Sequence, residues 1–113
     1  MLDTQAGREY LRGMQPRKAL RLHAIDNVAV VLEEVQAGEE LVILGGDVRA
    51  AIPARQAIPF AHKIALSPVN EGAAIVKYGV PIGFATRRIE SGEWVHCDNV
   101  GSYYAARRRG NTL

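Results

Sequence analysis

The sequence predicts a small, single-domain, mostly β protein, and three observations carry that prediction. Apolar, β-branched runs such as Val28-Ala29-Val30-Val31-Leu32 and Leu41-Val42-Ile43-Leu44 are too short for a multi-turn helix and suit buried strands. Clusters of glycine, asparagine and aspartate punctuate them. A phrase of apolar residue, two residues, glycine, two residues and apolar residue occurs three times. The copies are Val35, Gly38 and Leu41, then Val69, Gly72 and Ile75, then Ile89, Gly92 and Val95. Glycine supplies the positive φ of a tight turn, and the flanking apolar residues can then point into one core.

The elements follow in order. Residues 1–18 lack clean periodicity and end in Gln15-Pro16-Arg17-Lys18, which reads as an extension or a short helix near residues 8–14. Residues 19–100 form the domain, and residues 101–113 a basic tail. Residues 19–23 alternate apolar and polar, the period of a half-buried strand. Asp26-Asn27 marks a turn, and residues 28–32 and 41–44 are strands, the second closed by Gly45-Gly46. Residues 47–56 are the best helical stretch, with Asp47 as N-cap and Pro53 cutting it short. Residues 63–66, 74–78 and 93–96 are the remaining expected strands.

Composition excludes several classes. A chain of 113 residues has the length of one domain and little room for a deep cleft of its own. The net charge of +2 gathers at the ends, in Arg8, Arg12, Arg17, Lys18 and Arg21 and in Arg107, Arg108 and Arg109, while the middle is acidic. These ends read as solvated. A nucleic-acid partner would want a basic face on the folded core, so none is expected. No apolar run is long enough to span a bilayer, and residues 1–21 lack the apolar segment of a signal peptide. With a single cysteine, Cys97, the expectation is a reducing, cytoplasmic setting. No glycine-rich phosphate loop, dinucleotide fingerprint or nucleophile-elbow motif is present.

The groups able to carry chemistry are His23, His62 and His96. They are far apart in sequence and show no local metal-ligand spacing. His23 and His96 each end an expected strand and are followed by a polar turn containing Asn27 or Asn99. If those strands are neighbours, imidazoles and amides converge at one rim, as a divalent metal or a hydroxyl-rich carboxylate ligand would require. Lys63, beside His62, either neutralises an anionic ligand or protects a sheet edge. Lys77 and Tyr78 either bind a carboxylate or, for Tyr78, fill the core. Nothing local marks Cys97 as activated.

Four segments in order carry a resemblance. They are residues 19–30 (Ala-Leu-Arg-Leu-His-Ala-Ile-Asp-Asn-Val-Ala-Val), 58–66 (Ile-Pro-Phe-Ala-His-Lys-Ile-Ala-Leu), 74–86 (Ala-Ile-Val-Lys-Tyr-Gly-Val-Pro-Ile-Gly-Phe-Ala-Thr) and 91–100 (Ser-Gly-Glu-Trp-Val-His-Cys-Asp-Asn-Val). Together they resemble the N-terminal SAF module of altronate and galactarate dehydratases. The resemblance implies a β-clip fold of short bent strands with one or two short helices. It also implies a lyase that removes water from a sugar acid using a divalent metal, Fe2+ or Mn2+, shared with a large catalytic subunit. Carried over by position, His23 and His96 would be catalytic. Asp26, Asn27, His62, Lys63, Lys77, Tyr78 and Asn99 would bind substrate. His23, His96 and Asp98 would bind metal, although the family often has histidine where Asp98 stands. The proton-abstracting base would lie on the large subunit. Two alternatives stay open: a subunit of a sulfolactate sulfo-lyase-type enzyme, and a non-catalytic sugar-acid-binding or regulatory module; as for partners, the isolated chain could also form a homo-oligomer. A pilus-type assembly module would call for a secretion signal.

Overall fold

A computed structural model gives the structure of residues 16–45 and 50–103. These residues form nine strands: β1 (Arg17–Leu20), β2 (Val28–Val31), β3 (Glu40–Leu44), β4 (Ala50–Pro53), β5 (Lys63–Ala65), β6 (Ala74–Lys77), β7 (Val80–Ala85), β8 (Trp94–Val95) and β9 (Val100–Gly101). One sheet has the order β4-β3-β1-β2-β5-β8, and a second has the order β6-β7-β9. The pairing is antiparallel except for β1 with β3, which run parallel. The mostly β, SAF-like architecture expected from the sequence is therefore present. Among the described residues no helix is long and apolar enough to cross a membrane.

β2 and β5 form the wall between two hydrophobic cores. Ala29, Val31 and Ile64 face the first, with Leu41, Ile43 and Ile58. Val28 and Ala65 face the second, with Val69, Ile75, Ile89 and Val95. The cross-strand partners agree, Val28 pairing with Ala65 and Ala29 with Ile64. A strand buried on both faces reads as an unbroken apolar run, which explains why residues 28–32 show no alternation.

The repeated glycine phrase builds the corners. Gly38, Gly72 and Gly92 have φ of 88°, 83° and 90°. In each copy the next residue's N–H closes the turn: Glu39 onto Gln36, Ala73 onto Asn70 and Glu93 onto Glu90. The glycine N–H then donates to Ala54, Ala85 or Ala65. All six flanking apolar residues are buried. In the first and third copies the glutamate after the glycine also caps its own turn, Glu39 accepting from Gln36 N–H and Glu93 from Glu90 N–H.

Several expectations are corrected. Residues 50–53 are a strand, not part of a helix, because Leu41, Val42 and Ile43 offer an open edge and Ile52 packs on the first core. Tertiary pairing overrides local helix preference there, and Pro53 is tolerated at an edge-strand end. β7 was hidden in the sequence by Pro81 and two glycines. Proline is accommodated beside a register shift between Ile75 and Val76. Arg17, expected in a solvated extension, is only 4% exposed and bonds to Glu33 and Glu39, each at 3.2 Å. β1 ends at Leu20, so His23 lies in a turn, not at a strand end. The expected helix near residues 8–14, the Asp47 cap and the tail beyond residue 103 lie outside the described residues.

The three corners differ in one testable respect. A Cβ at Gly38 or Gly72 meets nothing within 4 Å, whereas at Gly92 it collides with the Pro53 carbonyl oxygen. Gly38→Ala and Gly72→Ala should each cost about 1 kcal/mol from backbone conformation alone. Gly92→Ala should cost about 3 kcal/mol, since strain and collision add. Urea midpoints of the three variants measure the difference.

Candidate functional site

Asp26 and Asn27 fasten the second sheet to the first. Asp26 is 5% exposed, and its carboxylate accepts from the backbone N–H of Tyr78 at 3.0 Å and of Gly79 at 2.7 Å. Asn27 donates to Ala74 O at 2.9 Å and accepts from Val76 N–H at 2.8 Å. The β6–β7 hairpin closes with Lys77 paired to Val80 across a two-residue loop. Its central residues Tyr78 and Gly79 both have positive φ, 58° and 72°, as a type I′ turn requires. Such a backbone is unfavourable for tyrosine, and the buried carboxylate beneath it offsets that strain.

His23 packs on this turn. A Cβ added to Gly79 would lie 3.0–3.1 Å from the His23 ring, so glycine lets the imidazole approach. Lys77, next in the hairpin, acts on Lys63 of β5. Burial, with the Lys77 charge adding to it, holds the Lys63 amine below the usual lysine range. Lys63 lines a cavity of about 240 Å³ with Ile82, His96, Cys97, Val100, Gly101 and Ser102.

His96 continues the run. Its ring stacks on Trp94, with centroids 3.9 Å apart and planes at 19°. Trp94 Nε1–H donates to His62 Nδ1 at 3.2 Å, with His62 edge-on to the indole. That bond assigns the His62 proton to Nε2 in its neutral form. Asn99 is fully buried and holds the loop, accepting from His96 N–H and donating to Trp94 O. Ala61, just before His62, has φ of 68° and stands about 1 kcal/mol above glycine in that conformation.

The expected residues thus separate by what their side chains touch. Lys77, Lys63, His96 and His62 lie in one sequence of neighbours, with His23 against Gly79 of the same hairpin and Tyr78 65% exposed. The hydrogen bonds of Asp26, Asn27 and Asn99 go to the backbone of the chain itself. Asp98 lies 71% exposed, 4.0 Å from Arg87. β1 and β8, whose adjacency would have brought His23 and His96 to one rim, are separated by β2 and β5. Among the described residues no three His, Cys, Asp or Glu side chains gather as a metal would need. A self-contained metal centre does not fit these residues. Trp94 was missed as a site residue, although its spacing of two from His96 puts both on one strand face.

A sequence profile of the altronate/galactarate dehydratase SAF domain matches residues 17–103. The chain belongs to that family. The SAF domain is 38% identical over 80 residues to altronate dehydratase of Escherichia coli and 40% identical over 80 residues to that of Bacillus subtilis. Each alignment covers 71% of this chain but 15% of the relative, so the domain spans a small part of those proteins. It is 37% identical over 73 residues to the (2R)-sulfolactate sulfo-lyase subunit alpha of Chromohalobacter salexigens, covering 63% of this chain and 78% of that subunit.

Two outcomes follow for the SAF domain. Asp26→Ala should cost about 3 kcal/mol, because two backbone donors lose a buried charged acceptor, and thermal unfolding measures it. Lys63 gives a pH dependence of known sign. Its folded pKa lies below the unfolded one, so between the two the unfolded chain binds more protons and stability rises with pH. Lys63→Met should therefore be more stable than wild type at about pH 7, with the advantage shrinking by about pH 10. Paired urea titrations at the two pH values check it.

Proposed function

We propose that this SAF domain is the small, non-autonomous part of a sugar-acid dehydratase, working with a large catalytic subunit in the cytoplasm. The observation that carries the reading is the run from Lys77 through Lys63 and His96 to His62, with His23 against Gly79 of the same hairpin. Lys63 and Lys77 would hold the substrate carboxylate as point charges. In the elimination, a base on the large subunit takes the C2 proton of a 2,3-dihydroxy acid and the C3 hydroxyl leaves. The enol that forms becomes a 2-oxo acid. His96, which lines the cavity with Lys63, would hand a proton to the departing hydroxyl, and His23 would border the acid from the hairpin side. The divalent iron or manganese that the resemblance implies would draw its donors from the large subunit. Exposed Tyr78, Val80 and Ile82 border the run and suit a protein contact.

A second reading has its own support. The chain spans 78% of a sulfo-lyase subunit alpha but 15% of each altronate dehydratase. A separate small subunit of a sulfo-lyase-type enzyme would use the same amines for a sulfonate-bearing acid.

Co-expression with a candidate large subunit under anaerobic conditions, with iron or manganese, tests both. A panel of sugar acids and sulfolactate is assayed for 2-oxo acid and for sulfite. A complex that turns over one of them is expected, and His96→Ala should lower kcat about 100-fold with the complex intact. No complex and no turnover would remove the lyase reading. Tight binding of a sugar acid by the chain alone would favour a binding module instead.

A further inference from the structure

The end of the β6–β7 hairpin exposes apolar side chains in a way that a strand seldom does. A β-strand turns alternate side chains to opposite faces, so one in two can be buried. In β7 the consecutive residues Val80, Pro81 and Ile82 are all exposed, with Tyr78 exposed in the turn before them. The register shift explains part of this. Ile75 stands opposite Gly83 and Val76 opposite Pro81, so Ile82 is an extra residue in the strand. A bulge of this kind re-aims a side chain. Ile82 forms part of the wall of the cavity of about 240 Å³, with Lys63 and His96. The hairpin is also held before any contact is made. Asp26 and Asn27 grip four of its backbone groups, so binding through it would lose little ordering entropy. Consecutive exposed apolar residues cost solubility and add nothing to the fold of a lone chain.

We propose that Tyr78, Val80 and Ile82 are the anchors on which the large catalytic subunit docks, seated in an apolar socket of that subunit. This surface rests on the dehydratase reading above and adds to it the direction from which the partner approaches. Two observations favour this occupant over a second copy of the chain. The apolar row runs into the cavity at Ile82. A subunit that brings a base over Lys63 and His96 comes down against Ile82, so one contact both joins the subunits and closes the cavity. The charge beside the row is also of one sign. Lys77 pairs with Val80 across the hairpin, its Nζ lies 5.8 Å from the Tyr78 ring centroid, and Lys63 stands on the cavity wall. A two-fold contact between copies would set these lysines against their own equivalents. Pro81 has no N–H, which disfavours adding a further strand at this edge, so the contact is made by side chains.

The chain is co-expressed with the candidate large subunit, the complex is isolated by size exclusion, and Kd is measured by titrating the separated subunits. Val80→Asp and Ile82→Asp should each raise Kd about 30-fold or more, as loss of a central anchor does. Leu32, as exposed as Ile82, follows β2 in the first sheet beside Lys18, and Leu32→Asp should leave Kd within about threefold. Urea midpoints of all three variants should stay near wild type, because each side chain is exposed. Unchanged Kd in Val80→Asp and Ile82→Asp, or an equal loss in Leu32→Asp, overturns the docking surface and leaves the dehydratase reading standing. Failure of the wild-type chain to form any complex removes both. Sedimentation of the chain alone should show a monomer. A dimer that Val80→Asp dissociates, with the large-subunit complex intact, gives the surface to a second copy and overturns the proposal.

Discussion

Asp26 reaches from the start of β2 in one sheet into the β6–β7 turn of the other, and the arrangement of the site depends on that reach. Its carboxylate takes the two N–H groups that the positive φ of Tyr78 and Gly79 aims at one point. Asn27 adds two bonds to β6, so consecutive side chains grip four backbone groups of a hairpin some fifty residues away. Charge-assisted bonds in a buried setting are stronger than neutral ones and directional. They fix where Lys77 emerges and leave His23 against Gly79. Asp26 and Asn27 sit in the first of the four segments that resemble the dehydratase family. Their hydrogen bonds hold β6 and its turn in place.

The glycine corners supply the rest of the frame. Each turns the chain between two buried apolar residues, and the first and third are capped by their own glutamate. Those glutamates also hold arginines, Glu39 with the buried Arg17 and Glu93 with the exposed Arg87. The same local device is thus tied to the core in one place and to the surface in another. The second corner, with Ala73 in place of glutamate, relies on the Val69–Ile89 bridge to the third.

Positive charge on this small domain collects where shape is also distinctive. Burial and the Lys77 charge raise the cost of charging Lys63, and His96 stacks on Trp94 with His62 edge-on to the same indole. The like charge of Lys77 acting on Lys63, together with the strained backbone of Ala61 and Tyr78, departs from what stability alone would select.

Local chemistry was enough to read much of this protein. β-branched runs, alternation and turn residues place β2, β3, β5, β6 and β8 because these signals act within a few residues. The positive φ at Gly38, Gly72 and Gly92 is legible for the same reason: only glycine adopts it freely. The histidine and lysine positions could be named from the sequence, and so could the family. Tertiary structure decided the rest. Residues 50–53 became a strand because β3 had an open edge, and Arg17 was buried because Glu33 and Glu39 converge on it. The partners of Arg17 lie 16 and 22 residues along the chain, and the strand at residues 50–53 is fixed by its pairing with β3, not by its own residues. The order of the strands, which separates β1 from β8, made Gly79 and not His96 the neighbour of His23. Sequence determined which groups are available. Long-range pairing, which depends on contacts between distant segments, determined which of them meet.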